Sequence, residues 1–168
     1  SLSCYVILTF MNSKRALNIL FPFVGTNMGG SHISAFFMAK ELLKRQHKVH
    51  FVGQKELMQN LFFNNSSFEK LQTFYRYSSN KFLIISLILI NSIMIIFFLR
   101  KKQYDLIHIN DHRTAYYWIL PSVIYNIPLV YHYRTKWIES RLMRILLKKT
   151  NKIICISKYV KSTLPKEF

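Results

Sequence analysis

Two glycines, Gly29 and Gly30, stand between an apolar run and a stretch with helical spacing. Without a Cβ, backbone N–H groups there can close on an anion, and a helix N-terminus beyond them adds roughly half a positive charge. A tight turn requiring positive φ would use the same pair, and the residue types alone do not separate the two readings. The pattern is not G-x-G-x-x-G, and no Gly-Lys-Ser/Thr follows as a phosphate-cradling P-loop requires. A second cluster, His108-Ile-Asn-Asp-His112, falls at the end of a predicted strand, the rim where open α/β sheets take their ligands. His108 and Asn110 share one side of that strand, which puts Asn110 at the rim. A histidine inside a strand is ordinarily a core residue, and Asp111 and His112 read as exposed loop. His132, in Tyr131-His-Tyr133, reaches the same rim from the next strand, with Arg134 directly after it. Two strand ends meeting at one rim carry more weight than either alone. Ser157 lies in no nucleophile elbow and reads as a helix N-cap. No His/Cys spacing suits zinc, so no metal site is expected.

The elements that must position these residues alternate. Residues 17–24 form a short apolar run that reads as a buried strand, and 25–30 a loop. Ser31 is a suitable N-cap for a helix over 31–45, where Ala35, Met38, Ala39, Leu42 and Leu43 keep one buried face and Lys44, Arg45 and His47 suit the C-terminal end. A second strand follows at 48–52. Strand, glycine loop, helix, strand is a βαβ unit, and such units build a covered parallel sheet. The stretch 54–81 is the least legible, with a short helix expected at 56–63 and a turn at 64–67. Beyond it the pattern predicts strand 105–109, helix 114–125, strand 128–133, a basic amphipathic helix 137–149, strand 152–157 and a short helix 158–164. The fold class is α/β, a Rossmann-like doubly wound parallel sheet.

The 168 residues make about one domain, and 51% of them are hydrophobic, enough for a packed core and too many for a disordered chain. The 24 Lys+Arg against 7 Asp+Glu leave a formal charge of +17, which points to an anionic partner: nucleic acid, a phosphorylated substrate or an acidic membrane surface. No recognition-helix or RNA-binding signature supports nucleic acid, which is not expected as a partner. Two cysteines, Cys4 and Cys155, are too few for a disulfide scaffold and suit a reducing compartment. Residues 82–99 hold eighteen residues without a charge, followed by Arg100-Lys101-Lys102. At ~1.5 Å each they reach about 27 Å, long enough to cross a bilayer. A span would split the sheet formed by strands on either side of it, and a sheet cannot be hydrogen-bonded through lipid. A helix that stays on one side, buried or partly inserted in the interface, is therefore expected. The basic helix at 137–149 is read either as a lipid-surface element or as a solvated cover for the sheet. These features predict a cytoplasmic protein held at the inner face of a membrane. Residues 1–10 have no basic n-region, so no signal peptide is expected. Met11-Asn-Ser-Lys-Arg15 reads as an ordinary amino terminus, and 1–16 as an extension before a domain over 17–168.

Taken in order, these pieces resemble the N-terminal domain of family 4 glycosyltransferases, retaining enzymes of GT-B architecture. Met28-Gly-Gly-Ser-His32 running into Ala39 through Val52 is similar to the family's Gly-Gly loop, helix and second strand. Tyr104-Asp-Leu-Ile-His-Ile-Asn-Asp111 resembles its Asp-hydrophobic-hydrophobic-His-x-His segment, Pro128-Leu-Val-Tyr-His132 its Pro-x-Val-x-x-His strand, and Asn151 to Lys158 its strand ending in Ser. The resemblance covers roughly 17–164. It implies transfer of a sugar from a nucleotide-sugar donor to a lipid-linked or saccharide acceptor in cell-surface glycan synthesis, with retention and with no metal or other cofactor. Gly29, Gly30 and Arg134 then fall on the donor side, and His132 and Asn110 at catalytic positions. The family's second histidine is Asn110 here, which cannot carry a proton near neutral pH. The family's donor-binding C-terminal domain has no counterpart in these residues, so such a domain, in cis or in trans, is an expected partner, and the chain is expected to be inactive alone. A different class of function would be a non-catalytic membrane-docking subunit that pairs with a separate donor-binding chain. The run at 82–99 is also far more apolar than the family's usual helix there.

Overall fold

The computed structural model describes residues 15–24, 29–53, 66–71, 73–74, 80–137 and 140–168. Strands β1 (Asn18–Pro22), β2 (Lys48–Gly53), β3 (Ser66–Lys70), β4 (Leu106–Ile109), β5 (Leu129–Tyr133) and β6 (Lys152–Cys155) pair in parallel throughout, in the order β3-β2-β1-β4-β5-β6. The helices are α1 (Gly30–Lys44), α2 (Lys81–Leu99), α3 (His112–Ile124), α4 (Arg141–Leu147) and α5 (Lys158–Thr163). The chain is thus a doubly wound α/β sheet of Rossmann type, and the strand order reverses between β1 and β4.

The two faces follow from the period-2 side-chain alternation of buried strands. Ile19, Phe21, Val49 and Phe51 meet Ala35, Phe36, Ala39 and Leu42 of α1. Leu20, Val52, Ile107 and Ile109 face the other way, onto Ile95 and Leu99 of α2 and Trp118 of α3. Helices α1 and α3 end alike. After α1, the N–H groups of Gln46 and His47 bond the carbonyls of Leu43 and Leu42, and after α3 those of Asn126 and Ile127 bond Val123 and Ser122. Gln46 and Asn126 take φ of 65° and 50° to close these Schellman caps, which stop each helix in time for the next strand.

Pro121 sits inside α3. It has no N–H to offer the carbonyl of Tyr117 one turn back. The Ser92 hydroxyl of α2 donates to that carbonyl at 3.3 Å, so one helix repairs the gap in the other.

Several boundaries differ from the sequence expectations. The N-cap of α1 is Gly29, in extended conformation, and Ser31 lies within the helix, because φ and ψ rather than residue preference decide where a helix begins. Ser66 and Ser67, expected in a turn, open β3; this edge strand buries little, so no apolar alternation marks it. Helix α4 starts only after its Ser140 N-cap and stops at Leu147, well short of 137–149. Asp111 and His112 are half-buried rather than loose loop: Asp111 caps α3 through its carboxylate and His112 is its first residue. Ser157 is the N-cap of α5, as its type suggests. The helix expected at 56–63 lies outside the described residues.

Candidate functional site

The carboxyl ends of β1, β4 and β5 and the N-termini of α1 and α3 surround a pocket of about 350 Å³. It opens at the reversal of strand order, where neighbouring connections leave on opposite faces and a crevice must form. Gly29 and Ser31 line it from α1, Asn110 and Asp111 from the end of β4, and Arg134 from the end of β5.

Arg134 organises the floor. Its Nη2 donates to Ser34 Oγ of α1 and to Asn110 Oδ1 at 3.2 Å, and lies 3.4 Å from Nδ1 of His132. The Asn110 amide in turn donates to the carbonyl of Ser31. One network therefore ties β4, β5 and the first turns of α1 together. Among the described residues Arg134 has no carboxylate in ion-pair contact, and its buried Nε has no partner. Asp111 is committed elsewhere: one oxygen accepts from the Thr114 N–H at 2.9 Å and the other from its hydroxyl at 2.7 Å. The guanidinium and the N-terminus of the 15-residue α1 bring positive potential to one small volume, while the Asp111 carboxylate that caps α3 offsets part of it.

Of the two glycines, Gly29 lines the pocket and Gly30 opens α1 beside it. Gly29 is extended, with φ −138°, and neither glycine is in the left-handed region, so the tight-turn explanation for the pair is not met. A Cβ on either would meet nothing within 4 Å. Neither backbone conformation nor packing in the fold demands glycine: a side chain at either position would occupy open space, and Gly29 lines the pocket.

The histidines lie deeper. His132 is 2% exposed with its Nε2 unpartnered, and its ring meets His108 edge-on at 5.9 Å between centroids. Burial, with the Arg134 charge beside it, pushes the His132 imidazole down to about 4, and burial with the charges of His132 and Arg134 pushes His108 down to about 3. Both are neutral at pH 7. His132 therefore accepts from Arg134 rather than repelling it, and neither ring is among the pocket's lining residues.

The predicted residues Asn110, His132 and Arg134 are thus one connected group, with Gly29 and Gly30 opposite. Sequence reasoning missed two further members. His32 stacks on Phe23 at 4.7 Å, and its Nδ1 accepts the Gly29 N–H at 3.1 Å while its buried Nε2 is unpartnered. His112 Nδ1 and the Tyr131 hydroxyl bond at 2.7 Å on the far wall. The signal for His32 was its i+3 spacing from Gly29, which suits a side chain reaching back over a helix start. Among the described residues no group of three or more His, Cys, Asp or Glu could hold a metal ion.

An open parallel sheet with an arginine and two helix N-termini at its switch point defines a Rossmann-like domain with a polar pocket there. Glycosyltransferase Family 4 matches residues 28–168, and the chain belongs to that family. No curated protein matches it. Among solved structures it is similar to a glycosyltransferase from Rickettsia africae (TM-score 0.65, 18% identity, 88% of this chain and 38% of that one). It is also similar to MurG from Acinetobacter baumannii (0.62, 14%, 88% and 43%). HepE from Anabaena, solved in complex with UDP-glucose, is a third (0.60, 17%, 88% and 39%). At these identities the likeness is one of fold, and the chain spans about two-fifths of the length of each.

Proposed function

We propose that this domain serves retaining transfer of a sugar from a nucleotide-sugar donor to a lipid-linked or saccharide acceptor in cell-surface glycan synthesis. The observation that supports this reading is Arg134: a positive charge held by Ser34, Asn110 and neutral His132 in the lining of a pocket that Gly29 and Ser31 also line. When the bond from the sugar's anomeric carbon to the diphosphate breaks, its electron pair leaves on a phosphate oxygen. Charge placed beforehand where that negative charge develops lowers the barrier without reorganisation. His132 is a positioning residue in this scheme, since it acts through Arg134. The nucleotide itself needs a second wall, supplied by a donor-binding domain in the same polypeptide or in a partner chain, and no metal is required.

The test is release of nucleoside diphosphate from a panel of nucleotide sugars, with lipid-linked and saccharide acceptors, by the complete transferase carrying this domain. Replacing Arg134→Ala should lower turnover by ~10²–10³, the usual cost of one preorganised charge-stabilising group. Unchanged turnover would remove this pocket from the reaction.

A further inference from the structure

Helix α2 is unlike its neighbours. Apart from Lys81, the other eighteen of its nineteen residues are uncharged, and among them only Ser86, Asn91 and Ser92 are polar. It is long and apolar enough to cross a membrane, yet only 22% of its apolar window is buried. The burial is confined to one half. Asn91, Ser92, Ile95 and Leu99 are buried, whereas from Lys81 to Ile90 only Leu83, Leu87 and Ile88 are partly covered and the rest is exposed.

Two contacts fix where that free half lies. The Asn91 side chain bonds both backbone groups of Phe74, just beyond the carboxyl end of β3, at 2.8 Å each. Ser92 bonds Tyr117, the sixth residue of α3. Both helices run from the carboxyl edge of the sheet back to its amino edge, as right-handed crossovers require. Lys81 to Ser86 therefore extend about 9 Å past the start of α3 at ~1.5 Å per residue. The overhang stands on the edge that carries the pocket, with Phe82 84% and Ile85 49% exposed, and Leu89 one turn further along is 52% exposed.

We propose that this overhanging half of α2 inserts into an anionic lipid bilayer and turns the pocket edge toward the membrane surface. Three observations favour lipid over a protein groove. The segment is apolar around its whole circumference, whereas a helix docked in a groove presents a stripe. The buried half holds the helix in the domain, so it enters the bilayer from one side and does not cross it. The same edge bears exposed Lys70, Lys81, Lys136 and Lys158, a complement to acidic headgroups. Helix α4, by contrast, has seven residues, and its Arg144 is paired with Glu167 at 3.2 Å, which favours the solvated cover for the sheet over the lipid-surface element. The inference stands apart from the proposed transfer, because lipid binding needs no turnover.

The test uses the whole chain with a Phe82→Trp substitution, read against the unsubstituted protein. With phosphatidylcholine vesicles containing phosphatidylglycerol, the added indole should shift its emission to the blue and be quenched by lipids brominated on their acyl chains. Salt should weaken this, and pure phosphatidylcholine should support it poorly. The combined variant Phe82→Ser, Ile85→Ser and Leu89→Ser should bind vesicles roughly tenfold more weakly or worse. Its circular dichroism and melting should change little, since none of these side chains belongs to the core. An indole that stays in water with anionic vesicles would overturn the proposal. So would one buried in a concentration-dependent way without lipid, which would make a second copy of the chain the occupant.

Discussion

Arg134 and Asn110, from the ends of adjacent strands, are joined at 3.2 Å, and Asn110 passes the connection on to the Ser31 carbonyl of α1. The asparagine is thus an uncharged spacer between a cation and a helix start. Asn110→Asp keeps an oxygen for Arg134 but puts a negative charge against it and loses the donor to Ser31. Affinity for nucleoside diphosphate should fall roughly tenfold or more, as expected when a fixed charge is neutralised in a partly desolvated site. Titration calorimetry on the complete transferase reads this directly; equal affinities would show that the Arg134 charge is not used.

Gly30 separates stability from function. A Cβ there meets nothing, and the residue is the first of α1, so Gly30→Ala should raise stability by ~0.5–1 kcal/mol through lost unfolded-state freedom and better helix propensity. Gly30→Val should still fold but use the nucleotide sugar poorly, because its branched side chain fills the approach to the backbone. Urea unfolding beside steady-state transfer tests both halves, and a valine variant with wild-type transfer would leave Gly30 no role in the pocket.

The Ser92–Tyr117 bond makes a cycle possible. Ser92→Ala leaves the buried Tyr117 carbonyl with neither a hydroxyl nor, because of Pro121, an N–H, and should cost ~1–2 kcal/mol. In a Pro121→Ala background the new N–H supplies the missing partner, so the same serine change should cost markedly less. Additive losses in the four proteins would mean that the hydroxyl does not substitute for the proline's absent donor.

Acid should loosen the fold in a defined window. His108 and His132 are held neutral, at about 3 and about 4, against 6.5 when unfolded. Lowered values mean that the unfolded chain binds the extra protons, so stability is fully present above pH 6.5 and drains away as pH falls toward 4. Between pH 7 and pH 5 each ring should account for ~1–2 kcal/mol. His108 has both ring nitrogens buried without partners, so His108→Leu should remove its share of the slope without a large loss at pH 7. A denaturation midpoint that is flat from pH 7 to pH 5 would contradict the assignment.

Much of this arrangement was legible before any coordinates. Glycines between an apolar run and a helical period mark a strand-to-helix turn, and that turn is where α1 begins. Asn110 and Arg134 each follow a run of buried β residues, so the ends of β4 and β5 could be paired by type and distance from the strand. What stayed hidden depends on partners far along the chain. The bond from His112 joins the start of α3 to Tyr131 of β5, nineteen residues on, and nothing local distinguishes that histidine from a solvated one. Strand β3 is stabilised by its ladder to β2 rather than by burial, so its residues carry no hydrophobic alternation. Helix α2 announced its apolarity, but only the contacts of Asn91 and Ser92 reveal which half is covered.

In the proposed function the pocket lined by Gly29, Ser31 and Arg134 receives the diphosphate of a nucleotide sugar. The most direct measurement is a two-dimensional NMR titration of the chain, observing backbone amides and the arginine Nε–H groups as millimolar UDP is added, with uridine as the control. The account predicts shifts concentrated at Gly29, Gly30, Ser31, Asn110 and the side chain of Arg134, absent with uridine and abolished by Arg134→Ala. Shifts centred elsewhere, or equal shifts with uridine, would contradict it.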